Sequence, residues 1–200
     1  YLEPMSQSGI VQTANQHTLN GFQCAFTENA SSEFSSIGES DIDNGHTTLY
    51  SPLYDLSSYT NPAFSYWRWY TNNTGAEPNA DWWQVQITDD GVNWVYVENT
   101  LTSDISWRKF AFRAQDFINP NSSQVQLRFI ASDSAYGSLS GGSLVEAALD
   151  DLYLYESKNN QTEVSFETDN NSKKLVLITD VLGREIDIAK IDKNLFLIYI

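Results

Sequence analysis

The acidic stretch SDIDNG, residues 40–45, carries side chains suited to binding a hard cation. Asp41 and Asp43 place two carboxylates two residues apart, and Asn44 adds an amide oxygen. Gly45 then lets the chain bend sharply. Calcium takes roughly six to eight oxygen ligands from such groups, from backbone carbonyls and from water. An EF-hand is not indicated, because no glutamate follows at its spacing and no helices flank the stretch. An Asx-rich turn without metal explains the same residues, so both interpretations stay open.

Three further carboxylates, Glu146, Asp150 and Asp151, lie in the apolar stretch VEAALDDLYLYE. If the chain forms a β-sandwich, this stretch and the 41–45 loop can meet at one rim, where a shared cation would join them. Successive side chains of a strand point to opposite faces, so Glu146 and Asp150 share a face and Asp151 takes the other. Without a β-bulge, we do not expect all three carboxylates to bind one ion.

Groups for enzyme catalysis are sparse. His17 and His46 are far apart in sequence and do not have the spacing of zinc ligands. Cys24 could be paired with His17 as nucleophile and base. The aromatic and small neighbours of Cys24 in FQCAF instead favour a small, buried, unreactive residue. The stretch TDDGVNW resembles the Asp-box of sialidases, one residue short, and that box is a folding turn. A hydrolase using acidic residues would need two carboxylates about 5–10 Å apart across a cleft.

The composition argues against several classes of binding partner. The 200 residues carry a formal charge of −15, which argues against nucleic acid and anionic membranes because phosphate binding needs a basic surface. A single cysteine excludes an internal disulfide. No run reaches the roughly 20 apolar residues of a membrane helix, and no signal-peptide pattern opens the chain. The first residue is not Met and the last run is apolar, so we expect both ends to be cut from a longer protein.

A boundary is predicted near Ser157, where the polar stretch ESKNNQTE separates two regions. Residues 1–157 hold 5 basic and 19 acidic residues (5 − 19, a charge of −14), and residues 158–200 hold 6 basic and 7 acidic residues (6 − 7, a charge of −1). Period-two alternation and regular turn signals run through residues 1–157 and predict an all-β sandwich or jelly roll. Residues 158–200 predict three short strands.

The aromatic residues allow two interpretations. Exposed rings could stack on sugars, which would make the chain a carbohydrate-binding module. Alternatively, most of them fill the core. An exposed, roughly coplanar pair on a concave face would favour sugar binding. The candidates are Trp67, Trp69, Trp82, Trp83, Tyr153 and Tyr155.

Residues 20 to 156 resemble a jelly-roll module found downstream of catalytic domains in secreted bacterial proteins. The stretches that carry the resemblance are DIDNGHTTLYSP, FSYWRW, DDGVNW and VEAALDD. The module is similar to the MAM-like and carbohydrate-binding-like sandwiches attached to peptidases. It implies a non-catalytic domain with a structural calcium, held by Asp41, Asp43, Glu146 and Asp150, with Asp151 as a secondary ligand. The chain departs from the family at Asn44, where glycine is usual.

Residues 158–200 resemble the C-terminal sorting domain of type IX secretion in Bacteroidota, through the stretch KLVLITDVLGREID and the apolar strand after it. Asp180, Gly183, Arg184 and Tyr199 fit the family pattern. The usual Asn-Pro start and basic final strand are missing. The resemblance implies a small Ig-like β-sandwich, incomplete here, that is recognised by the outer-membrane translocon.

Together these features predict a non-catalytic C-terminal region of a larger exported protein, secreted or displayed on the cell surface. Residues 1–157 would be the calcium-stabilised jelly-roll module, and residues 158–200 the sorting domain. A carbohydrate-binding module is the alternative prediction, and a hydrolase using acidic residues is the third.

Overall fold

Eight β-strands and one short 3-10 turn form the described structure, with long strands where the sequence alternates between apolar and polar residues. The computed structural model describes residues 11–158 apart from residues 14, 19, 30, 31, 33, 34, 36, 37, 44 and 134–142. In chain order the elements are β1 Ala25–Phe26, β2 Gly45–Tyr50, β3 Pro62–Thr71, β4 Trp82–Thr88, β5 Val95–Thr100, β6 Asp104–Arg113, the 3-10 turn Ala114–Asp116, β7 Gln126–Asp133 and β8 Glu146–Glu156.

The strands make two four-stranded antiparallel sheets. The first sheet has the order β1-β8-β3-β6, and the second has the order β2-β7-β4-β5. Eight antiparallel strands that pass between two sheets in this order form a jelly roll. The predicted all-β jelly roll is therefore confirmed for the described residues.

The chain divides into two units, Tyr1–Ser157 and Lys158–Ile200. The predicted sorting motif of Asp180, Gly183, Arg184 and Tyr199 lies outside the described residues, as does the predicted Ig-like sandwich. The described residues form no helix that is long and apolar enough to cross a membrane.

Aromatic side chains fill the space between the sheets. Phe64, Tyr66 and Tyr70 project inward from β3 and are fully buried. Tyr66 meets Phe129 of the second sheet edge to face, with 5.1 Å between ring centroids. Such contacts add a specific geometry to the large apolar area that each ring buries. The inner face of β3 is therefore core, and Trp67 and Trp69 point to the opposite face.

A buried ion pair also lies between the sheets. The guanidinium of Arg68 is 2.7 Å from the carboxylate of Glu98, and the Tyr66 hydroxyl donates to the same carboxylate at 2.6 Å. The Trp83 indole N–H donates to it at 3.0 Å. Burial, and then the Glu98 charge, raises the pKa of Tyr66 well above its usual value, so this hydroxyl stays a donor.

Candidate functional site

The N-terminal strap, which we define as residues 11–13 and 15–18, covers part of the outer face of the first sheet. The indole N–H of Trp69 donates to the carbonyl of Val11 at 3.2 Å, and Trp69 is 7% exposed. The ring of His17 stacks on Trp67, with centroids 3.6 Å apart and planes 17° apart. Two of the predicted sugar-binding residues therefore already have partners within the chain.

A β-bulge in β8 changes the side-chain directions that strict alternation predicts. The pairing of β3 with β8 shifts register opposite Tyr66, and Asp151 has a positive φ of 51°. Asp150 accepts the backbone N–H of His17 at 3.0 Å, and Asp151 accepts from the ring Nδ1 of His17 at 2.7 Å. Thr18 also donates its hydroxyl to Asp151. Both carboxylates therefore bind the strap, because the bulge turns Asp151 toward the side that Asp150 faces.

The predicted calcium ligands fall into two places. The loop of Asp41 and Asp43 reaches the start of β8, where the N–H of Ile42 donates to the carbonyl of Val145 at 3.1 Å. Glu146, the next residue, is fully buried. Its carboxylate accepts a hydrogen bond from Thr27. The loop and the last strand thus meet at one rim, as the sequence predicts.

Asp150 and Asp151 lie farther along β8. Four residues at about 3.3 Å each place Asp150 roughly 13 Å from Glu146 along the strand. The structure therefore does not bring the five predicted ligands together. Among the described residues, no three His, Cys, Asp or Glu side chains are grouped to hold a metal ion. A calcium at the rim would need backbone carbonyls or water among its ligands, which calcium accepts. It stays a prediction limited to Asp41, Asp43 and Glu146.

The outer face of the second sheet carries a cross-strand row of four side chains. Tyr50 of β2 pairs with Arg128 of β7, Arg128 pairs with Gln86 of β4, and Gln86 pairs with Tyr96 of β5. Their strand neighbours point into the core: Val85, Ile87, Leu127 and Phe129. The row therefore faces away from the core, and its two tyrosines are 52% and 50% exposed. We call it the Tyr50–Tyr96 row.

Trp94 lies against this row. The guanidinium carbon of Arg128 is 4.2 Å from the centroid of the Trp94 ring, and Tyr50 meets the same ring edge-on at 6.0 Å. The Nε of Arg128 donates to the side-chain oxygen of Gln86 at 2.5 Å. Arg128 is thereby fixed by a stacking contact and a hydrogen bond.

A tight turn between β4 and β5 places Trp94. The Asp90 carboxylate accepts the N–H groups of Val92 and Asn93 at 2.8 and 2.7 Å, and the Asn93 amide at 2.6 Å. Gly91 takes a positive φ of 73°, which glycine adopts without strain. These hydrogen bonds, of which those from Asn93 have the largest effect, hold the pKa of Asp90 well below its usual value. The TDDGVNW stretch is thus a folding turn that delivers Trp94 to the sheet face.

The remaining aromatic candidates are divided between the sheets. Trp83 is in the core and 2% exposed. Trp82 is half-buried and pairs with Ser132 on the outer side of the second sheet. Tyr153 of the first sheet is 58% exposed, and Tyr155 is half-buried. Trp82 is therefore the predicted sugar-binding residue that shares a face with the Tyr50–Tyr96 row.

Thiol chemistry at Cys24 is not favoured by its surroundings. Burial, and then the Asp150 charge, raises the pKa of this thiol. A nucleophilic cysteine needs a lowered pKa, which neighbouring cations or a helix N-terminus provide. The proposed base His17 instead uses its Nδ1 atom with Asp151.

Sequence reasoning missed Tyr50, Trp94, Tyr96 and Arg128 as candidate site residues. Alternation in VQLRFIA and DWWQVQI does separate Arg128 and Gln86 from the apolar core positions. It does not show which residues lie opposite each other on neighbouring strands. The missing information is therefore the pairing register.

Comparisons with known proteins do not assign the chain to a family. No family model matches the chain, and no curated protein matches it. A solved structure of the carbohydrate-binding module TmCBM61 in complex with β-1,4-galactotriose is similar, with 14% identity and a TM-score of 0.31. The match covers 56% of this chain and 61% of that one, less than two thirds of its length.

Proposed function

We propose that residues 11–157 act as a non-catalytic carbohydrate-binding module, and that sugar binds on the outer face of the second sheet. The observation that carries the proposal is the Tyr50–Tyr96 row, in which two half-exposed tyrosines flank Arg128 and Gln86. The first sheet is the weaker candidate because the N-terminal strap uses Trp67 and Trp69.

The chemistry of the row suits a saccharide. A pyranose ring has an apolar C–H face that packs on an aromatic ring, and hydroxyls at its rim that need hydrogen-bond partners. Arg128 offers donors only, and the two exposed tyrosine hydroxyls offer both a donor and acceptors. Gln86 is 6% exposed, and its side-chain oxygen accepts from Arg128, so its role is to position that guanidinium. Next to the row, the Gln84 amide donates to Asn99 at 3.1 Å and adds further polar groups. The face therefore combines aromatic rings with hydrogen-bonding groups.

The dimensions favour a chain over a single sugar. Tyr50 and Tyr96 lie on the two edge strands of the sheet, three strand spacings apart. At about 4.8 Å for each spacing, the two strands are separated by roughly 14 Å. An oligosaccharide laid across the strands could contact both tyrosines, so we expect affinity to increase with chain length.

The test is isothermal titration calorimetry of the full chain with oligosaccharides from several plant and bacterial polysaccharides. Tyr50→Ala and Tyr96→Ala should each weaken binding by about tenfold, as expected for loss of an aromatic stacking contact. Tyr153→Ala is the matched control, because it removes an equally exposed tyrosine from the first sheet. Equal losses in all three variants, or no binding to any saccharide, would contradict the proposal.

A second proposal concerns residues 158–200, which we infer to be an export signal for type IX secretion. Its support is the resemblance of KLVLITDVLGREID to the sorting family, and the drop in charge at the same boundary. Deleting residues 158–200 should leave the protein in the periplasm. Normal arrival at the cell surface or in the medium would refute an export role.

A further inference from the structure

We propose that the saccharide bound by the second sheet is acidic, with a uronic-acid carboxylate paired to Arg128. The inference rests on the proposed carbohydrate-binding function and adds the chemical class of the ligand. It depends on the partners of Arg128 and on the distribution of charge over the two sheets.

Arg128 differs from the other described arginines in its partners. Each of those has a carboxylate partner: Arg68 with Glu98, Arg108 with Asp104, and Arg113 with Asp116. Arg128 instead contacts the neutral amide of Gln86 and the ring of Trp94. Within the described residues no carboxylate forms an ion pair with it. A permanent cation in a chain of net charge −15 thus keeps its charge available on the proposed sugar-binding face.

The second sheet is also poor in acidic residues. Its four strands contain Glu98 and Asp133, and both are buried. The strands of the first sheet contain five: Asp104, Glu146, Asp150, Asp151 and Glu156. The strands of the second sheet therefore expose no carboxylate that would repel an anion near Arg128.

The geometry of Arg128 suits a carboxylate. Its Nε donates to Gln86, and its two terminal nitrogens have no hydrogen-bond partner among the described residues. A guanidinium offers parallel N–H groups that match the two oxygens of a carboxylate. Stacking on Trp94 holds the guanidinium plane, so little conformational entropy is lost on pairing. The flanking tyrosines supply surfaces for the sugar rings, which favours a glycan over an acidic peptide.

The experiment compares polygalacturonate, alginate and hyaluronan, each with its carboxyl-reduced form, in titrations against the full chain. The reduced form keeps the linkage and removes the charge. At least one acidic form should bind about tenfold or more tightly than its reduced partner, as expected for hydrogen bonds to a charged group. Arg128→Gln should abolish the preference for the acidic form. Arg128→Lys should keep only part of that preference, because a lysine ammonium lacks the parallel N–H groups that match the two carboxylate oxygens.

Arg113→Gln is the matched control, since it removes the same charge from the first sheet and should preserve the preference. Equal affinity for acidic and reduced forms, with both weakened by Tyr50→Ala, would overturn this inference and leave the carbohydrate-binding proposal intact. Equal losses in Arg128→Gln and Arg113→Gln would also overturn it, because the attraction would then be non-specific. Tighter binding of poly-glutamate than of any glycan would identify a peptide ligand instead. Failure to bind any neutral or acidic saccharide would refute the carbohydrate-binding proposal itself.

Discussion

The guanidinium carbon of Arg128 lies 4.2 Å from the centroid of the Trp94 ring, although Trp94 lies at the end of the β4–β5 turn and β5 is not adjacent to the strand of Arg128. Arg128 is in β7, and Trp94 immediately precedes β5, with β4 between them. The contact depends on the turn that Asp90 organises, because this turn sets the direction of Trp94. A local turn thus determines the position of a charged group on a neighbouring strand.

The first prediction tests this dependence. Asp90→Ala should displace Trp94 and weaken binding on the sheet face, because the turn loses its hydrogen bonds to Val92 and Asn93. Asp55→Ala is the control: it also removes an exposed carboxylate, which accepts the N–H of Ser57 at 2.9 Å in another loop. Only the Asp90 variant should change tryptophan fluorescence and glycan affinity. Unchanged glycan affinity in Asp90→Ala would show that the turn does not contribute to the binding site.

The same turn should respond to acid. Because the pKa of Asp90 is lowered in the folded state, its stabilising effect is complete above the usual aspartate pKa of about 4. The effect is lost as the pH falls through the lower folded-state pKa. A fluorescence titration should therefore show an acid transition that is absent from Asp90→Ala.

Much of the fold could be predicted from the sequence. Alternation in NPAFSYWRWYTN places Tyr66 and Tyr70 on the inner face of β3, where they are buried. The Asp-Gly pair in TDDGVNW predicts the turn between β4 and β5. These features depend on residues that are close in sequence, so one amino-acid sequence is enough to predict them.

The candidate site could not be predicted in the same way. Tyr50 and Tyr96 are 46 positions apart in the numbering, and they share a row only through the register of three strand pairs. The burial of Trp69 depends on the strap from residue 11 onward, which shows no strand periodicity. The bulge at Asp151 breaks strict alternation, so the assignment of its carboxylate to the opposite face is wrong. In each case the deciding contact is distant in sequence.

The second prediction concerns the ion pair between the sheets. Glu98→Gln should lower the free energy of unfolding by about 3–5 kcal/mol, because Arg68 keeps a buried charge without its partner. Adding Arg68→Met should recover a large part of this loss, since the double variant buries no charge. Urea denaturation of the single and double variants measures both changes in the free energy of unfolding.

The exposed pair of Arg113 and Asp116 is the control for the ion-pair prediction. Asp116→Asn should cost less than about 1 kcal/mol, as surface pairs contribute little. A double variant of Arg68 and Glu98 that is less stable than Glu98→Gln alone would contradict the explanation by an unpaired buried charge.

The third prediction concerns the N-terminal strap. Asp151→Ala removes the acceptor for His17 and Thr18, so amide exchange in the strap should accelerate by about tenfold. Burial raises the pKa of Asp151, but the hydrogen bonds from Thr18 and His17 outweigh it and leave the pKa below its usual value. Its contribution is therefore present at neutral pH and is lost on acidification through the folded-state pKa. Hydrogen–deuterium exchange read by mass spectrometry measures both effects. Unchanged exchange in the strap, with Asp116→Ala as reference, would show that Asp151 does not hold it.

The fourth prediction concerns calcium at the rim where the 41–43 loop meets β8. The N–H of Ile42 binds the Val145 carbonyl there, next to the fully buried carboxylate of Glu146. The Glu146 carboxylate accepts hydrogen bonds from Thr27 and Gln12. A calcium shared with Asp41 and Asp43 would offset the repulsion among these carboxylates and would therefore stabilise the fold.

A chelator should lower the melting temperature, and calcium should restore it, with about 2.7 kcal/mol gained when free calcium is about a hundred times the Kd. Asp41→Asn should abolish the response to calcium. Asp150→Asn should preserve it, because that carboxylate already binds the backbone of His17 and Thr18 far from the rim. A melting curve that is insensitive to chelator would refute calcium binding altogether. A response lost equally in both variants would instead place the ion nearer to Asp150 and contradict the site at the rim.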